Sequence, residues 1–272
     1  MFIQDRHLPV SIVRVAFCVC FSFASVAIAA DWESTINKEP PGNFAELRPL
    51  QATYVFGWSG FTAAIGDVKF ARSGANRFQL DGKARTLGLA RLLWKLDANF
   101  TAVTDAETLR PIDFKQFEVY RSQNIVTHLS FRGNSVHGDR TEGSKAKTRD
   151  FSYPGLFDLQ SAMLYVRSQP LKPQSVYRIL VYPATDPYLA TLTVVGREKV
   201  SVRAGTFDAI KLDLKLKRVG KNLQLETYRK FRRGTIWVAD NSDRLLLRLE
   251  SQIFIGTIFA ELQAVRYETP KS

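Results

Sequence analysis

Apolar and polar residues alternate with a period of two along most of this chain, starting at Tyr54-Val55-Phe56-Gly57-Trp58 and continuing through Ile65, Val68 and Phe70. The same alternation marks residues 78–82, 95–103, 114–120, 125–131, 177–182, 190–195 and 199–202, and then 207–217, 223–228, 234–238, 245–250 and 259–267. Successive side chains of a strand point to opposite faces, so each stretch predicts a strand with one buried and one solvated face. Short strands separated by Gly, Asn and Asp at intervals of roughly ten residues predict an all-β, mostly antiparallel fold. Gly205, between Val202-Arg203-Ala204 and Thr206-Phe207, is placed to supply the positive φ of a tight turn.

Two segments break the period and predict one or two short helices. Residues 87–96 (Leu-Gly-Leu-Ala-Arg-Leu-Leu-Trp-Lys-Leu) form the weaker one. Residues 158–167 form the stronger: Asp158 is a candidate N-cap, Leu159, Met163 and Val166 recur at helical spacing, and Pro170 and Pro173 bar continuation. The run 140–150 is polar without an apolar interruption, which predicts a flexible connection resembling a long hairpin tip rather than a domain linker.

The first thirty residues follow a different rule. Arg6, His7 and Arg14 precede an uncharged apolar stretch, 15–28, that ends in Ala27-Ile28-Ala29-Ala30. A membrane-spanning helix needs about 20 apolar residues. The short run, basic start and small-residue ending therefore predict a cleavable signal peptide, cut after Ala29, and a periplasmic protein. The organisation expected is a signal peptide at 1–29, a leader at 30–49 and a single β-rich domain at 50–268. The only cysteines, Cys18 and Cys20, lie in the signal segment, so the processed chain would carry no disulfide, thiolate or Cys nucleophile.

Removing Asp5, Arg6 and Arg14 with the signal peptide leaves 243 of 272 residues and lowers the net charge from +12 to +11. This suggests an anionic neighbour such as an envelope polymer or lipid headgroups. The cations are interleaved with Leu, Val or Phe, as in 211–221 and 229–233, which is also how the polar face of a strand reads. No nucleic-acid-binding motif is present, and nucleic acid is not expected as a partner.

Candidate chemistry is sparse. His128 sits in an alternating strand and His137 follows a Gly133-Asn134 turn, so the two rings would face one another on neighbouring strands, with Asp139 as the nearest third ligand. Asp240, Asn241 and Asp243 offer oxygen ligands at a bend, yet the spacing of a calcium loop is missing and a structural turn explains them better. No catalytic set, cofactor or metal site is assigned. The aromatic residues Tyr54, Phe56, Trp58, Phe61, Phe70 and Phe78 belong mostly to packing, although an aromatic sheet face would also suit an acyl chain or sugar.

Several blocks together resemble the bacterial family known as domain of unknown function 3108. They are Tyr54-Val55-Phe56-Gly57-Trp58-Ser59-Gly60 with Gly66, the 158–167 helix, Val194-Val195-Gly196-Arg197-Glu198-Lys199-Val200 leading into Ala204-Gly205-Thr206-Phe207-Asp208-Ala209, and Ile236-Trp237-Val238-Ala239-Asp240-Asn241-Ser242-Asp243-Arg244. The resemblance covers residues 47–267 and implies a secreted protein with a rolled or spiral antiparallel sheet and no established activity. The leading functional expectation is a non-enzymatic envelope protein that binds an anionic polymer or a partner protein. The alternatives are a carrier of a lipid or other hydrophobic ligand, and a hydrolase of envelope polysaccharide.

Overall fold

A computed structural model describes residues 32–184, 186–220, 223–228, 231–253 and 256–268, so the segment read as a signal peptide, with Cys18 and Cys20, lies outside the described residues. The predicted alternation forms a 15-stranded sheet in which every neighbouring pair of strands is antiparallel. A first meander comprises β1 (Leu50–Trp58), β2 (Phe61–Arg72), β3 (Arg77–Thr86), β4 (Leu96–Asp105), β5 (Pro111–Tyr120), β6 (Gln123–Arg132), β7 (Ser135–Glu142) and β8 (Lys145–Ser152). A second comprises β9 (Val176–Val181), β10 (Tyr188–Val202), β11 (Gly205–Val219), β12 (Leu225–Thr227), β13 (Phe231–Ala239), β14 (Leu246–Ile253) and β15 (Gly256–Tyr267). β15 pairs with β1 and joins the two meanders, leaving β8 and β9 as the edges and β12 as a short appendage on β11. The helices are α1 (Gly88–Leu93), between β3 and β4, and α2 (Leu159–Ser168), between the meanders. Among the described residues no helix is long and apolar enough to cross a membrane, a statement that does not bear on strands.

Two expectations need correction. The polar run 140–150 is not a loop: it supplies the end of β7 and most of β8, joined by a tight turn at Gly143. An edge hairpin is held by its backbone ladder and needs no buried stripe, and β8 is solvated on both faces. Residues 190–195 and 199–202 are one strand of 15 residues, β10, interrupted by a bulge at Val195 that turns this side chain out to solvent. Gly205 adopts φ +131 at the β10–β11 turn, the conformation its position predicts.

The sheet rolls until its edges approach without forming a ladder. Phe151 of β8 stacks on Tyr182 just after β9 at 6.0 Å between ring centroids, and Arg149 reaches Asp186 at 2.6 Å. The exposed backbone of β9 is satisfied by other segments. Phe157 donates to the Leu180 carbonyl at 2.9 Å and accepts from the Tyr182 amide at 2.8 Å, while Asn37 exchanges bonds with the Arg178 backbone at 2.8 and 2.6 Å. This relieves the hazard of an unpaired edge.

The leader is thus a strap on the domain. Trp32 stacks on Tyr153 and donates to the Leu223 carbonyl, Gly42 and Phe44 donate to Ser168, and Arg48 grips the Asp243 carboxylate through both oxygens. Inside the roll, Leu50, Tyr54, Phe70, Trp237 and Leu262 form one cluster, and Phe114, Leu129, Leu180 and Tyr182 form another. A third packs α2 against β9, β10, β11 and β13.

Candidate functional site

Helix α2 begins where the sequence places its start. The Asp158 carboxylate accepts from the Ser161 amide at 2.6 Å and the Ser161 hydroxyl accepts from the Asp158 amide at 3.1 Å, a reciprocal cap that fixes the first turn. Burial pushes the Asp158 carboxyl upward against these bonds, and its second oxygen has no hydrogen-bond partner. At the other end, Arg244 donates to the carbonyls of Arg167 and Pro170, at 3.2 and 3.3 Å, and to that of Gln169. Its charge meets the negative end of the helix dipole and three carbonyls that the helix leaves open.

So held, α2 turns Leu159, Ala162, Met163 and Val166 toward the inner face of the second meander. Together with Ile179, Ala190, Leu192, Leu214 and Ile236 they line an apolar cavity of about 290 Å³ that opens to solvent. It exists because small residues meet. Ala162 on the helix and Ala190 on β10 are both buried, and each leaves unfilled the space that a larger side chain would take. Ala190 lies between Ile179 of β9 and Leu216 of β11 in register, so the wall is one row of inward-facing positions.

The polar groups of the cavity gather at its rim. The rings of Tyr188 and Tyr228 meet edge to face at 5.1 Å. Burial first, then proximity to Tyr228, pushes the Tyr188 phenol up to about 12, so its hydroxyl stays protonated and able to donate at neutral pH. The exposed Leu159 stands beside them at the helix start.

The residues singled out in the sequence lie elsewhere. Tyr54, Phe70 and Phe78 are core, whereas Phe56, Trp58 and Phe61 are exposed. None lines this cavity, whose wall is aliphatic apart from Tyr188 and Tyr228. Asp240 pairs with Arg197 at 2.6 Å, Asp243 with Arg48 at 2.7 Å, and the Asn241 side chain accepts from the amides of Asp243 and Arg244. That is a turn held by arginines rather than a free set of oxygen ligands.

His128 and His137 share the outer face of β6 and β7 but do not face each other. His128 stands opposite Asp139 and His137 opposite Ser130, and each ring has its own carboxylate. Among the described residues no group of three metal-ligating side chains converges. The Nε2 atom of His128 lies 2.6 Å from Asp113 and 3.3 Å from the Ser130 hydroxyl. Both partners share one ring nitrogen, whereas activating a serine requires the carboxylate on the opposite nitrogen.

His137 lies 2.7 Å from Asp150 through Nδ1 and 3.3 Å from Asp139 through Nε2. Its pKa is raised, chiefly by the hydrogen bond to Asp150 and then by the charge of Asp139. Proton NMR should place its midpoint above the ordinary value of about 6.5, and Asp150→Asn should move it back toward that value. A raised folded-state pKa means that the stabilisation is fully present below the unfolded value and is lost as pH rises through the folded one. An unaltered midpoint in Asp150→Asn would refute the pairing.

Residues 51–263 match the family described as "Protein of unknown function (DUF3108)". No curated protein matches the chain significantly. Among solved structures, the chain is similar to a β-barrel-like protein of domain of unknown function DUF1849 from Brucella abortus, at 12% identity and a TM-score of 0.58 over 82% of this chain and 99% of that one. This likeness shows the rolled fold. A protein provisionally assigned as a lipoprotein, from Parabacteroides distasonis, aligns over 84% of this chain and 100% of its own at 8% identity, with a TM-score of only 0.35.

Proposed function

The chain belongs to the DUF3108 family, and from its geometry we propose that it is an exported, non-enzymatic carrier that binds one apolar chain of a lipid-like ligand beneath α2. The carrying observation is the cavity itself, walled by aliphatic side chains with hydroxyls confined to the rim. Ligand pockets are mostly apolar with a few orienting polar groups and begin at about 300 Å³. A cavity of about 150 Å³ already holds a benzene ring. A volume of about 290 Å³ therefore suits one acyl chain or a ring of similar bulk, not a whole multi-chain lipid, with a head group near Tyr188 and Tyr228. Export rests on the signal-peptide pattern of residues 1–29.

Binding of an anionic polymer draws less support. Many of the cations that suggested it are engaged across strands, as in Lys199 with Asp208, Lys211 with Glu198, Arg218 with Glu226 and Arg233 with Asp213. Such pairs tie up part of the basic surface, while the excess of cations over acids remains spread along the strands.

The test is fluorescence titration with cis-parinaric acid, a fluorescent acyl chain without an added dye, followed by displacement with palmitate. Ala190→Phe should weaken binding at least about tenfold by filling the cavity, since overpacking leaves no room for a guest. Ala162→Leu, which fills it from the helix side with a smaller insertion, should weaken binding in the same direction. Undiminished binding by folded forms of both variants would sink the proposal.

A further inference from the structure

One end of the first meander is unusually apolar for a surface. Helix α1 holds Leu89, Leu92 and Leu93 at 79, 83 and 80% exposure, and Trp94 follows at 55%. The β1–β2 turn beside it carries Trp58 and Phe61, the latter 77% exposed. The two segments are bound together, because the Leu87 amide at the start of α1 donates to the Ala63 carbonyl of β2 at 2.8 Å. Trp94 in turn packs edge to face on Tyr120, and the adjoining Arg121 amide donates to the Lys95 carbonyl at 2.7 Å. Three neighbouring connections thus meet at one end of the sheet, and two of them carry exposed large apolar side chains. Contiguous exposed apolar surface on a folded domain marks an interaction site.

Charge and shape indicate what it meets. Residues 55–66 carry no charge, while Arg85, Lys95 and Arg121 are exposed around the tip. Its nearest acid, Asp97, is already held by Arg91 at 2.8 and 2.9 Å. The leucines project with about four-fifths of their surface in solvent, which is the shape of a wedge rather than a groove. Tryptophan and tyrosine at the base of such a wedge, with cations around them, match the polarity profile of a bilayer from acyl boundary to headgroups.

We propose that this tip docks the protein on a bilayer surface bearing anionic headgroups. Leu89, Leu92, Leu93 and Phe61 enter the acyl boundary, Trp94 and Trp58 lie at the interface, and Arg85, Lys95 and Arg121 meet the phosphates. The inference uses no residue of the cavity and stands whether or not the cavity binds an acyl chain.

The test is flotation of the processed protein, purified from its own cells, with vesicles of phosphatidylethanolamine and phosphatidylglycerol, against vesicles of phosphatidylcholine alone. The protein should float with the anionic vesicles and be released by salt, which screens the cation–headgroup term. Lipids brominated on the acyl chain should quench its tryptophan fluorescence, and Trp58→Phe with Trp94→Phe should remove most of the quenching. Leu92→Asp with Leu93→Asp should reduce partitioning at least about tenfold, since a carboxylate is strongly disfavoured at the acyl boundary, with an unchanged melting temperature because both side chains are solvated. Arg85→Gln, Lys95→Gln and Arg121→Gln together should abolish the preference for anionic vesicles. Undiminished flotation of the double aspartate variant would overturn the proposal. It would also be overturned if the leucine variants dissociated a dimer in the ultracentrifuge while no form bound vesicles, which would make the tip an interface between copies of this chain.

Discussion

Phe157→Ala is expected to cost about 3–5 kcal/mol, the range for truncating a fully buried aromatic residue. For a domain of this size that lowers the melting temperature by roughly 10 °C or more. Phe157 is 1% exposed, packs at a tilt on Tyr165 with ring centroids 5.0 Å apart and lies under the Arg110 guanidinium at 4.1 Å. Burial already pushes the Arg110 pKa down, and its buried Nη1 has no hydrogen-bond partner. Without the ring the cation loses the aromatic face it rests on. The backbone of Phe157 keeps its bonds to Leu180 and Tyr182, so the variant separates side-chain packing from the closure of the β9 edge. Phe157→Leu should lose less than half as much, because most of the volume is retained. Calorimetry or thermal circular dichroism of both variants reads the difference, and equal stabilities for wild type and Phe157→Ala would refute this account.

Arg244→Ala is expected to cost about 3 kcal/mol, because it strands three carbonyls at the end of α2, each buried and unsatisfied acceptor being worth about 1–3 kcal/mol before water relieves some of them. Arg244→Lys should recover little, since a single ammonium cannot span the acceptors that the guanidinium fork reaches. The loss should also reach the cavity: α2 forms one wall of it, and a frayed last turn displaces Val166 and Met163. Chemical denaturation measures the first effect, and parinaric acid titration of the folded fraction measures the second. A variant with wild-type stability would show that these carbonyls find other donors.

The two predictions concern residues of very different visibility in the chain. The helix that Arg244 caps is plain in the sequence, since Asp158, the 3–4 spacing of Leu159, Met163 and Val166, and the two prolines are local signals. The capping role of Arg244 is not, because the carbonyls it satisfies belong to a segment far away along the chain. Phe157 reads as one aromatic in a short loop, and only the fold sets Arg110 above it and β9 beside it. β8 and the last residues of β7, 140–142, escaped detection for the opposite reason. A strand solvated on both faces has no apolar stripe to record, and its ladder is made of backbone groups that every residue carries. His128 and His137 were correctly placed on adjoining strands but in the wrong relation, since a shift of two residues in register decides which side chains stand opposite.

What the sequence determined by itself is the set of faces: which positions point inward, where the chain must turn at Gly205, where α2 starts and stops, and the two-residue period that allows only sheet. These follow from forces acting within a few residues, namely side-chain alternation, backbone sterics and local capping. The tertiary structure alone decided that β15 closes on β1, that Arg244 rather than another cation caps α2, and that Ala162 and Ala190 come together. The last is the clearest case, because a cavity is a deficit of volume between distant segments, and no local pattern records the side chain that is not there.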